Sequence, residues 1–110
     1  MSIMKNINMS EVLTLSSQTE YQKGQIVSKT LIQNDAISLT LFAFDKDEEI
    51  STHESGGDAL VLCLDGVGKI VIDGEEYILH KDESIVMPAG HPHSVSAVEP
   101  FKMMLTVVFK

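Results

Sequence analysis

Two histidines separated by one proline, His91-Pro92-His93, follow directly on the turn-forming run Pro88-Ala89-Gly90. Only two other histidines, His53 and His80, occur in the 110 residues. Imidazole is the commonest protein ligand of transition metals and the side chain whose protonation changes nearest neutral pH. The prolines each fix a φ angle, and Gly90 can supply a backbone conformation closed to other residues. His93 is therefore expected on a stiff support that aims it inward, as a binding site requires. His80, between Leu79 and Lys81 in a turn, is expected in solvent.

The elements that must position these histidines read as strands. The segments QIVSKTLIQ and ISLTLFAF are separated by the turn signal Asn34-Asp35, and KIVIDGEEYIL carries Asp73-Gly74, the strongest short hairpin signal, favouring a type I′ turn. SIVMP, HSVSAV and FKMMLTVVF follow, broken by Pro88, Pro92 and Pro100. The one plausible helix is short, Ser10 to Gln18. Many short strands with turn chemistry between them predict an all-β sandwich or barrel. ALVLCL, Ala59 to Leu64, is apolar on both faces, so its outer face is expected to be covered by a second subunit or a second sheet.

Composition narrows the partners. Sixteen carboxylates face eight basic residues, all of them lysine, for a net charge of −8. No basic stripe exists for nucleic acid, and the bidentate clamp that arginine gives to phosphates and carboxylates is missing. No segment approaches the roughly 18 apolar residues of a membrane span. A single cysteine, Cys63, cannot form an internal disulfide, and the N-terminus lacks signal-peptide features, so a cytoplasmic protein is expected. The length suits one domain, 1–110, with an N-terminal extension of about 20 residues.

The segments Asp47 to Gly66 and Asp82 to Ala97 resemble the two motifs of the cupin superfamily. The first motif runs Gly, five residues, His-x-His, three or four residues, Glu, six residues, Gly; the second runs Gly, five residues, Pro-x-Gly, two residues, His, three residues, Asn. His53 falls on the first histidine and Gly66 on the closing glycine, while Asp47, Ser55 and Ala59 replace the opening glycine, second histidine and glutamate. In the second motif Pro88, Gly90 and His93 match, and Asp82 and Ala97 replace the glycine and asparagine. The resemblance implies a double-stranded β-helix, a jelly-roll-like barrel, often a homodimer. Its pocket holds iron, manganese, nickel, zinc or copper in metal-bearing members.

Two of the four usual ligands, His53 and His93, are present, and loss of the carboxylate removes charge that would offset a divalent ion. His91 is the candidate third ligand, alternatively a rim residue; Asp58 is the other substitute, although Asp58 and Ala59 should face opposite sides of a regular strand. Ser55, Asp58, Ala59 and Met87 are the expected pocket residues. Cys63 shares the parity of Ala59 but lies four residues on, about 13 Å along a strand, and reads as a small buried hydrophobe. The functional expectation is a metal-binding cupin, with or without enzymatic activity, acting on a small neutral or weakly polar molecule at a histidine-bound divalent ion. The alternative is a metal-free, non-catalytic binding module. Sugar-epimerase or phosphosugar-isomerase chemistry is disfavoured by the missing arginine and second histidine.

Overall fold

Asp73 and Gly74 both take positive φ, 52° and 81°, the type I′ geometry that joins two strands with the correct twist. This hairpin links β5 (Gly68–Ile72) to β6 (Glu75–Leu79) in a computed structural model that describes residues 3–110. At the other expected turn, the Asn34 carboxamide oxygen accepts from the amides of Ala36 and Ile37, at 2.9 and 3.0 Å. That Asx-type turn connects β1 (Ile26–Gln33) to β2 (Ile37–Phe44).

The remaining strands are β3 (Glu49–His53), β4 (Asp58–Asp65), β7 (Ser84–Met87), β8 (His93–Ala97) and β9 (Phe101–Val108). They form a five-stranded sheet, β1-β2-β9-β4-β7, facing a four-stranded sheet, β3-β8-β5-β6, with every pairing antiparallel. The Ser10 to Gln18 helix does not form; only a single 3-10 turn, Leu15–Ser17, appears there. No side chain caps that turn, and none of its residues is buried, so neither capping nor a core contact supports a longer helix. Among the described residues no helix is long and apolar enough to cross a membrane.

The core lies between the sheets. Phe44 and Phe101 are fully buried with ring centroids 5.6 Å apart, and Ala59, Val61 and Cys63 project inward from β4. On the outer face of β4, Leu60 remains 41% exposed beside its β7 partner Val86 at 52%. The double-faced apolar run thus buries one face in this chain and leaves part of the other open. The segment before β1 lies against that outer side through Lys102, whose ammonium donates to the Ser16 carbonyl at 2.6 Å, and through Tyr21, whose hydroxyl donates to Asp65 at 2.5 Å.

Cys63 behaves as the sequence suggests. It is inaccessible, and burial pushes its thiol up to about 11. A thiol-specific disulfide reagent at pH 8 is expected to leave Cys63 untouched in native protein and to modify it fully once denaturant unfolds the chain; rapid native labelling would contradict this packing.

Candidate functional site

A strand of strict alternation would place Ile50 and His53, three residues apart, on opposite faces. The β3–β8 register does otherwise. Ile50 pairs with Val95 and His53 with His93, so three steps on β3 span two on β8. This β-bulge turns both Ile50 and His53 toward the space between the sheets, and bulges re-aim side chains in this way. His53 sits exposed at the mouth, and His93 is only 3% exposed beneath it.

Backbone carbonyls hold both rings. His93 Nδ1 donates to the His91 carbonyl at 3.1 Å, and His53 Nδ1 donates to the Ser51 carbonyl at 2.9 Å. Because a carbonyl can only accept, these bonds assign the hydrogen of each neutral ring to Nδ1. In that tautomer the two Nε2 atoms, 3.2 Å apart with the rings at 70°, face each other as bare acceptors. Burial, and secondarily the nearby His53, press the His93 pKa below its ordinary value, opposed by the His91 carbonyl and Glu54. His93 is thereby favoured in its neutral form.

Behind the pair lies a cavity of about 170 Å³. Ile50 and Val95 line it from one sheet, and Phe42, Ala59, Met87, Met103, Leu105 and Val107 from the other; Ser55 stands at the loop between β3 and β4. Among the described residues its only polar side chains are His53, His93 and Ser55, and none that line it is a lysine, aspartate or glutamate. The Ser55 hydroxyl accepts from the Gly57 amide at 3.2 Å.

The structure brings His53, His93, Ser55, Ala59 and Met87 together, and leaves His91 and Asp58 outside. His91 Nδ1 lies 2.6 Å from the Asp73 carboxylate at the tip of the β5–β6 hairpin, with both side chains about half exposed. Two residues before His93, His91 would share its face in a continuous strand, but it precedes β8 and lies within the turn that Pro88 and Gly90 shape. Asp58 faces away from Ala59 and accepts from the Ala89 amide at 2.9 Å. It secures the loop carrying the second motif, as does the Gly90 amide, which donates to the Ser55 carbonyl at 3.0 Å. Gly90 has a φ of 75°, the left-handed conformation its type permits. His80 is on the surface against Glu83.

The sequence reading missed Phe42, Ile50, Val95, Leu105 and Val107 as lining. Inward parity could have signalled all but Ile50, which depends on the bulge. Chemically, the pair can accept hydrogen bonds or share an ion. Its separation suits two nitrogens bound at about 2.0–2.1 Å to one metal, and the carbonyl-held Nδ1 groups are the usual support for such ligands. No third donor joins them: among the described residues no group of three or more histidine, cysteine, aspartate or glutamate side chains is placed to hold one ion. The residues fit an open, two-nitrogen anchor and do not fit a closed resident site.

Residues 40–109 match the family pattern described as a cupin domain. No curated protein is similar enough to count as a relative. A conserved protein of unknown function from Streptococcus pyogenes is 43% identical, covering 100% of this chain and 96% of its own at a TM-score of 0.98. A cupin superfamily protein from Desulfitobacterium hafniense is 29% identical over 99% of this chain and 100% of its own, at 0.93. A cupin 2 conserved barrel domain protein from Leptotrichia buccalis is 44% identical; the match covers 87% of this chain and 47% of that longer one, at 0.85. With two facing sheets, paired motif loops and this family match, the chain belongs to the cupin superfamily.

Proposed function

We propose that this cupin binds a small, compact, neutral molecule inside its barrel, with the apolar body in the cavity and the polar end against His53 and His93. The observation that carries this reading is the lining: an apolar space of about 170 Å³ ending in two imidazoles, with no lysine, aspartate or glutamate among the described residues that line it. Apolar pockets with a few convergent polar groups are the usual form of a small-molecule site. The volume is comparable with the roughly 150 Å³ apolar cavity that accepts benzene. A charged ligand would be stripped of water with no counter-charge to meet it, which is costly.

The facing nitrogens favour a second reading, in which a divalent ion such as zinc, nickel, iron, manganese or copper sits on His53 Nε2 and His93 Nε2. The remaining positions would be filled by water or the bound molecule. Such an ion would supply a Lewis acid at the end of the cavity. In this reading His91 acts on the rim through Asp73, while the Ser51 and His91 carbonyls orient the ligating rings.

Three outcomes are expected. Ala59→Leu should fill the cavity and abolish the shifts that small aromatic probes cause in amide NMR signals of Val95, Met103 and Leu105, at an overpacking cost of about 1–3 kcal/mol measured by urea unfolding. Persistent shifts would remove the cavity from the account. Zinc added to chelator-treated protein should bind weakly enough to be stripped again by chelator. His53→Ala or His93→Ala should abolish that binding and His91→Ala should not; uptake lost with His91 would restore it as a ligand. A homodimer, the proposed assembly, should give about twice the 12.1 kDa chain mass in light scattering, and a monomer mass would refute it.

A further inference from the structure

The carbonyl bonds at Nδ1 leave both Nε2 atoms without a hydrogen, yet place them 3.2 Å apart and facing. Two lone pairs in that position repel unless something positive lies against them. Among the described residues the side chains that line the cavity do not supply it: apart from the histidines, Ser55 is the single hydroxyl, and its one hydrogen bond is the one its oxygen accepts from the Gly57 amide, with none to either ring. The lining carries no carboxylate to balance a cationic ligand and no lysine to draw an anionic one.

The geometry points to a ligand class: a neutral molecule carrying one O–H or N–H donor on a compact apolar body of about one six-membered ring, its donor hydrogen directed at the His53–His93 pair. This deepens the small-molecule reading above and rests on it. Burial of the apolar body supplies affinity, and the donor supplies discrimination, because a site built around unpaired acceptors rejects an analogue without the hydrogen. A molecule of the same shape bearing an ether oxygen would place a third acceptor against the first two. Alkyl, ether and hydroxyl forms of one ring are therefore ranked by the hydrogen alone.

The test is titration of chelator-treated, full-length protein with phenol, anisole and toluene, followed by amide NMR and calorimetry at pH 7, where phenol is neutral. Phenol is expected to bind about tenfold more tightly than toluene or anisole, with shifts at Val95, Met103 and Leu105. His53→Leu, at the exposed mouth, should bring the three probes within about threefold of one another while keeping the cavity shifts. His80→Ala should retain the wild-type preference. If toluene binds as well as phenol at the cavity residues, the donor inference is overturned and the small-molecule reading stands. If none of the probes shifts those residues, both are overturned.

Discussion

Two imidazoles with like-facing acceptors, each locked by its own backbone carbonyl, set the constraint around which the site is arranged. The contact exists because β3 and β8 pair His53 directly with His93, and because a bulge after Ile50 rotates His53 inward. The Ser51 carbonyl that fixes the His53 ring belongs to that same bulge. The carbonyl that fixes His93 comes from His91, immediately before Pro92. Backbone geometry thus determines which nitrogens face one another, and the side chains follow.

The surrounding loops keep that geometry. Asp58 receives the Ala89 amide, Gly90 donates to the Ser55 carbonyl, and the Asp73 amide donates to the Pro92 carbonyl. These bonds join the ends of β3, β4 and the β5–β6 hairpin to the turn before β8. The residues replacing family ligands also change the chemistry behind the pair. Ala59 leaves apolar space where a carboxylate would bring charge, and Ser55 offers a hydroxyl whose oxygen accepts from the Gly57 amide. A site deprived of a carboxylate holds a divalent ion less firmly, while the same change favours a neutral ligand.

Much of this was legible in the residues. The hairpin at Asp73-Gly74 and the turn at Asn34 are local chemistry, and local chemistry can be read directly. The alternation that buries Ala59, Val61 and Cys63 while turning Asp58 and Leu60 outward follows from strand parity. The inward histidines came from their places in two motifs. Less could be read where distant segments decide. His91 is drawn to Asp73, eighteen residues earlier, and sequence parity alone cannot show that the chain before β8 is no longer a strand. Ile50 enters the cavity through a register shift that its own neighbours do not announce. The short N-terminal segment has a helix-like start but too little burial to stabilise helical turns.

The central claim concerns hydrogens, so the most direct measurement is the long-range 15N–1H NMR spectrum of the histidine rings in chelator-treated protein at pH 7.5. The account predicts that each ring carries a hydrogen on Nδ1 and leaves Nε2 bare, and that a phenolic ligand perturbs the Nε2 resonances of both. A hydrogen on the Nε2 of either ring in the free protein would mean that the pair satisfies itself, contradicting the facing-acceptor account.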